Sequence, residues 1–269
     1  MYTIRFLRCF SPVRVARAAA LVLIAFLMAG VVRDCAALYR SERLWAGQKA
    51  YGALRFGIDP VSVPFSFYDG SGWNGLDADV ARQLCNRLGF RLESDPVGYD
   101  ALYDSLFVGR ADAGMSALVR DETRTNDALF TRGYFEAGLT AITVASAATP
   151  TTLEGLANMR LAAAFGSDAD HAVRRLQRTS PGTIRINLAS AEAAVQLLRA
   201  GSADVALVDG VEARRIATID LRTIVLRSDP YVLAVRPDQY RLHYELNRVL
   251  DALKADGSLD TIVSQWLHP

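Results

Sequence analysis

The chain has 269 residues, 51% apolar and 22% charged, enough for one large domain or two small ones with a genuine core. Its formal charge is +1, yet Arg5, Arg8, Arg14, Arg17 and Arg33 all fall in the first 33 residues, so the remainder is slightly acidic. That balance argues against nucleic-acid binding, which needs a basic face, and with Cys85 the only cysteine beyond the N-terminal region no intrachain disulfide can form in the folded part.

In chain order, the basic stretch Arg5–Arg17 is followed by Ala18–Val32, fifteen residues without charge. This reads as an export signal, intermediate in length between a signal-peptide core and the roughly 20 residues that span a bilayer. A small-x-small site stands at Cys35-Ala36-Ala37, with Arg33 and Asp34 awkwardly before it, so cleavage and retention as a membrane tether both stay open. Val32-Arg33-Asp34 is a poor approach for lipidation of Cys35. The arginine excess before the apolar run puts the N-terminus inside and the rest outside the cytoplasmic membrane, at its extracytoplasmic or periplasmic face. Residues 1–37 are thus signal peptide or anchor, and 38–51 a polar, helix-prone spacer.

The periodic pattern starts at the strand Leu54–Ile58. Val80, Ala81, Leu84 and Leu88 share one face of a helix over Asp77–Leu88 that Gly89 ends; Cys85 on it reads as a buried thiol. A strand at Phe90–Glu93, a helix at Asp100–Val108 and a strand at Ala111–Met115 complete a βαβ-like half. After a strand over Ala137–Val144, the small and polar Ala145–Pro150 reads as a linker. A second alternating set follows: helix Thr152–Asn158, strand Arg160–Ala164, helix Asp168–Arg178, strand Ile184–Leu188, helix Ala191–Ala200 and strand Asp204–Val208. A strand at Val232–Val235 and helices at Gln239–Ala255 and Ser258–Leu267 close the chain. The alternation predicts α/β layers with parallel-biased sheets, and two such units predict a cleft between lobes, where small molecules bind.

Catalytic signatures are scarce. His171, His243 and His268 are isolated and outside metal-ligand spacing, and no Gly-x-Ser-x-Gly, phosphate loop or dinucleotide fingerprint occurs. No catalytic residue, cofactor or metal is therefore assigned. Gly166-Ser167 before a helix offers backbone N–H groups to an anion at the positive dipole end, or forms a simple turn.

Leu54-Arg-Phe-Gly-Ile-Asp-Pro-Val-Ser-Val-Pro-Phe-Ser-Phe67, Gly75-Leu-Asp-Ala-Asp-Val-Ala81 and Ala111-Asp-Ala-Gly-Met-Ser116 with Glu122-Thr-Arg124 occur in that order. Phe165-Gly-Ser167, Ala203-Asp-Val-Ala-Leu-Val-Asp209, Leu253-Lys-Ala-Asp-Gly-Ser-Leu-Asp260 and Trp266 continue the series. Each is weak alone; together they resemble the family 3 extracellular solute-binding proteins. The resemblance implies a two-lobed type II periplasmic-binding-protein fold, with 52–143 and 232–269 in lobe one and 144–231 in lobe two, closing on ligand by hinge motion.

It also implies a site. Arg124 matches the arginine that grips the ligand carboxylate with its two-pronged guanidinium; its plain alternative is a solvated helix arginine paired with Asp121 or Asp127. Asp209 matches the acid that holds the ligand ammonium, and its plain alternative is a helix N-cap. Tyr99 matches an aromatic wall, or is a core aromatic; Asp59 and Ser116 match pocket-lining positions that loop polarity also explains. Three positions depart from the family pattern: Val119 replaces a hydroxyl, Ser62 an aromatic, and Asp168 the threonine that assists the carboxylate. Beside Ser167, Asp168 either caps the helix that begins there, the favoured reading, or faces the cleft and selects a ligand with extra positive charge.

The function so implied is capture of a small polar ligand, an amino acid or derivative, for the membrane permease of an ABC importer. A periplasmic cyclohexadienyl-dehydratase-like enzyme on the same fold and a membrane-anchored, ligand-presenting sensor are the alternatives. A transglycosylase is disfavoured because no separate catalytic domain follows Trp266.

Overall fold

The computed structural model describes residues 12–147, 150–216 and 218–267. The apolar export stretch and the spacer form one helix, α1 (Pro12–Tyr51), of 40 residues. Then come β1 (Ala53–Ile58), a small antiparallel unit of β2 (Val61–Ser62), β3 (Ser66–Asp69) and β4 (Gly72–Asn74), α2 (Leu76–Leu88), β5 (Arg91–Pro96), α3 (Leu102–Phe107) and β6 (Ala113–Gly114). Short strands β7 (Leu129–Phe130) and β8 (Phe135–Glu136) lead to β9 (Leu139–Val144), β10 (Arg160–Ala164), α4 (Asp168–Thr179), β11 (Ile184–Leu188), α5 (Ala191–Arg199), β12 (Val205–Asp209), α6 (Gly210–Ile216) and β13 (Leu221–Val225). The chain returns through β14 (Pro230–Tyr231) and β15 (Ala234–Val235) to α7 (Tyr240–Ala255) and α8 (Ser258–Leu267).

Two five-stranded sheets organise two α/β lobes. In lobe one the order is β5-β1-β6-β15-β7, with β1 parallel to β5 and β6 and β15 antiparallel to β6 and β7. Phe56, Ile58, Leu76, Leu84, Leu246 and Leu250, all fully buried, join this sheet to α2 and α7. Gly89, at φ 71°, takes the left-handed turn that ends α2, and burial pushes the Cys85 thiol beneath up to about 12.

In lobe two the order is β11-β10-β12-β9-β13. The alternation within each strand decides which helix it meets. Leu161, Ala163, Val205 and Leu207 pack on Ala172, Val173 and Leu176 of α4, whereas Ala162, Ala206 and Val208 pack on Ala194, Val195 and Leu198 of α5. The many alanines let the helices approach closely, so the lobe needs few large side chains.

Several expectations need correction. Leu139–Val144 is not part of lobe one: it runs antiparallel between β12 and β13, so the first crossing falls at 136–138 and the stretch read as a linker lies within lobe two, with residues 148 and 149 outside the described residues. Thr152–Asn158 makes only a 3-10 turn at Glu154–Leu156, because the Thr152 hydroxyl accepts the Gly155 N–H and closes a local turn instead. The spacer 38–51 is helical as expected, continuing α1, and from Ser41 onward it packs on lobe one. His268 lies outside the described residues.

Two segments cross between the lobes, and β8 pairs with β14 where they meet (Phe135↔Tyr231, Glu136↔Pro230). Glu136 fastens them: one carboxylate oxygen accepts the N–H groups of Gly138 (3.1 Å) and Asp229 (2.9 Å), the other the Ser228 hydroxyl (2.7 Å). A side chain at Gly138 would run into the Arg227 carbonyl, so the segments cross at a point only glycine allows.

Candidate functional site

The loops that face the cleft leave the carboxyl ends of parallel strands, where open α/β sheets place ligands. Between the lobes lies a cavity of about 550 Å³. Val119 lines it from lobe one, Ala137 and Tyr231 from the crossing segments, and Ser167, Asp168, Asp209, Arg227 and Asp229 from the far side.

On lobe one the loop after β6 is held by hydrogen bonds that leave little free for a ligand. Ser116, 2% exposed, accepts the Asp59 N–H (2.7 Å) and donates its own proton to the Met115 carbonyl. One Asp59 carboxylate oxygen accepts the Val61 N–H at 3.3 Å. Ala117 adopts φ 48°, unusual for a residue with a side chain, and its N–H donates to the buried carboxylate of Asp77 at 2.8 Å. The other Asp77 oxygen accepts the Tyr134 hydroxyl at 2.7 Å. Burial pushes Asp77 up to about 7 against the pull of both donors. Leu118 and Val119 continue into the crossing region, through Val232 N–H to the Leu118 carbonyl (2.8 Å) and a bridge from Val119 to Tyr231.

Arg124 ends a 3-10 turn capped by Asp121, whose carboxylate accepts the Thr123 N–H at 2.8 Å. Its guanidinium lies 3.5 Å from Asp127 and over the Tyr103 ring at 4.9 Å. Tyr99 is partly exposed beside Val119; burial, then the Asp100 and Asp121 carboxylates, raise its phenol, while the Val119 backbone hydrogen bond opposes them.

On lobe two the capping reading of Asp168 is overturned, although the residue does open α4. Ser167 caps α4 instead, accepting the Asp170 N–H (3.1 Å) while its hydroxyl donates to the Ala164 carbonyl (2.7 Å). Asp168 is left at the cavity, 81% exposed and 3.8 Å from Arg227. The proposed anion site at Gly166-Ser167 is also taken: the Gly166 N–H goes to the Asp170 carboxylate (3.0 Å) and the Ser167 N–H to Ala164 (3.2 Å). Asp170, fully buried, pairs with Arg174 (2.8 Å) and Arg185 (2.6 Å). Burial opposes its ionisation, but the Arg185, Gly166 and Arg174 hydrogen bonds prevail and hold it down at about 2. Asp209 does cap α6, accepting the Glu212 N–H at 2.8 Å, and also lines the cavity.

Of the seven positions singled out in the sequence, the structure brings Ser167, Asp168 and Asp209 to the cavity, whereas Asp59, Tyr99, Ser116 and Arg124 are not among its lining residues. Arg227 and Asp229, paired at 2.6 Å, were missed. The available signal was faint: two opposite charges just before Pro230, where the chain has to leave lobe two. Asp77 was read only as the first residue of a helix and a member of a motif, since its partners Ala117 and Tyr134 are remote in sequence.

The chain is similar to the amino-acid-binding protein AabA of Dichelobacter nodosus, 26% identical over 216 residues, with 77% of this chain and 85% of that protein covered. It is also similar to the cyclohexadienyl dehydratase of Pseudomonas aeruginosa, 27% identical over 243 residues, with 87% and 85% covered. Among solved structures, an ancestral cationic amino acid solute-binding protein matches with a TM-score of 0.57 at 26% identity, covering 81% of this chain and 96% of that one. Residues 54–269 match the family model as well, and the chain belongs to the bacterial extracellular solute-binding proteins, family 3.

Proposed function

We propose that this protein, working outside the cytoplasmic membrane, captures an amino acid with a cationic side chain and hands it to the permease of an ABC importer. The observation that carries the reading is the charge of the cleft. Asp168, Asp209 and Asp229 share its wall with a single arginine, Arg227, so the cavity is net negative and concentrates cations. Arg227 is engaged by Asp229 and Asp168, whereas Asp209 has one oxygen with no hydrogen bond among the described residues and suits the ligand ammonium.

Arg124 takes the ligand carboxylate in this reading. Its pair with Asp127 is long and solvent-exposed, and such pairs hold a side chain weakly. Closure about the crossing segments would bring Arg124, Tyr99 and Asp59 over the ligand from lobe one. Similarity to the amino-acid-binding protein and to the ancestral cationic amino acid binder supports the choice of ligand. The likeness to a dehydratase keeps an enzymatic reading in view, but three carboxylates oppose entry of a dianion such as prephenate, so the proposed role is binding without turnover.

A thermal-shift screen tests this. Lysine, arginine or ornithine at about 100 times its dissociation constant should add ~2.7 kcal/mol of stability, neutral amino acids less and glutamate none. Stabilisation by acidic ligands alone, or formation of product from prephenate or arogenate, would overturn the proposal.

A further inference from the structure

We propose that α1 is retained as a transmembrane anchor whose outer end is built into lobe one, so that the binding lobes stand on the bilayer by lobe one. Nine large apolar side chains between Leu21 and Val32 are 55–77% exposed, among them Leu21, Val22, Leu23 and Ile24 in succession. Successive residues turn through about 100°, so these four point in every direction around the helix. A helix apolar on all sides and covered by nothing among the described residues suits lipid rather than a groove on another protein. The charge-free Ala18–Val32 spans about 22 Å at 1.5 Å per residue, short of a 30 Å hydrocarbon core; at the outer end the long Arg33 side chain makes up part of the difference by reaching toward the headgroups. Arg14 and Arg17 stand at the inner end, Arg33 at the outer, and exposed Tyr39, Arg40 and Arg43 follow where an interfacial belt belongs.

The second observation is independent of hydropathy. α1 runs unbroken through the small-x-small site Cys35-Ala36-Ala37, although a peptidase needs extended backbone there, and four residues later it docks. Ser41, 2% exposed, accepts the Arg241 N–H at the start of α7 (2.7 Å). Trp45 meets Phe90 edge-on with centroids 5.3 Å apart. Gln48 donates to Asp112 (3.0 Å) and Gln239 (2.8 Å), and Lys49 donates to the Leu88 carbonyl while lying 4.1 Å from the Phe90 ring. All these partners belong to lobe one. Ligand-driven closure then moves lobe two against a lobe one fixed to the membrane.

The test uses the untagged full chain expressed in a bacterial host. The anchor predicts a 29.3 kDa species in the membrane fraction that resists a high-salt wash and, once purified, floats with vesicles of phosphatidylethanolamine and phosphatidylglycerol. Leu23→Arg with Phe26→Arg should abolish flotation and leave ligand-induced stabilisation unchanged. Trp45→Ala should keep flotation but speed hydrogen exchange of the Ser41–Tyr51 amides at least tenfold. A species shortened at its N-terminus in the soluble fraction, or a full-length one released by salt, overturns retention; Ser41–Tyr51 amides of the unsubstituted protein exchanging like an unfolded tether overturn the docking.

Discussion

Asp77 and Asp170 occupy equivalent places in the two lobes. Each is in the first turn of a helix, each is fully buried, and each accepts the N–H of a loop that faces the cleft, Ala117 in lobe one and Gly166 in lobe two. Their acidities diverge, about 7 against about 2. The difference lies in the remaining donors: Asp77 has the neutral Tyr134 hydroxyl, Asp170 the guanidinium groups of Arg174 and Arg185. Burial penalises both carboxylates, and only a cation compensates fully for lost water. Lobe two therefore holds its cleft loop with a charged network, and lobe one with a nearly neutral one.

The largest effect should come from breaking the charged network. Asp170→Asn strands two arginines around a buried site and should cost ~3–5 kcal/mol of unfolding free energy, measured by urea denaturation at neutral pH. In the unsubstituted protein this contribution is complete above the ordinary carboxylate range and is lost as pH falls from about 4 toward 2, because the folded-state pKa is the lower one.

Asp77→Ala should cost less, on the order of 2–3 kcal/mol, by leaving the Ala117 N–H and the Tyr134 hydroxyl without an acceptor. Asp77→Asn keeps an oxygen to accept the Ala117 N–H, while its amide N–H donates to the Tyr134 hydroxyl, which turns from donor to acceptor, and it should stay within ~1 kcal/mol of the parent. The pH profile separates the two aspartates. Asp77 has the higher pKa in the folded state, so its contribution is complete below about 4 and declines as pH rises through about 7. Asp77→Asn should flatten that decline, and denaturation midpoints across this window would show it.

The smallest effect concerns ligand choice. Asp168→Thr removes one of three cleft carboxylates and should lower the preference for arginine over glutamine about fivefold, equivalent to ~1 kcal/mol, with fold stability unchanged because the side chain is exposed. Parallel calorimetric titrations with the two amino acids would measure it.

Elements with their own periodicity were legible from residues alone. Arg160–Ala164, Ile184–Leu188 and Ser258–Leu267 lie where their patterns put them, and α2, α4, α5 and α7 differ from expectation only at an end. The strands of Val61–Asn74, two to four residues each, are too short for alternation to register, and the seven-residue α6 too short for a helical stripe. Leu139–Val144 was legible as a strand but not in its sheet, since either lobe could have used so apolar a segment. At the site, Asp209 and Asp168 were picked out by the family resemblance, whose motifs fix positions at a strand end and a helix start. Arg227 depends on the return crossing, and the partnerships of Asp77 and Asp170 on contacts made only after folding.

The most direct test of the central claim, capture of a cationic amino acid in this cleft, is calorimetry of arginine binding to the full-length protein beside Asp209→Ala. The parent should bind saturably and one-to-one, and the substitution should weaken binding at least a hundredfold, equivalent to ~2.7 kcal/mol. Arginine binding of equal strength in both proteins, or none in the parent, would contradict it.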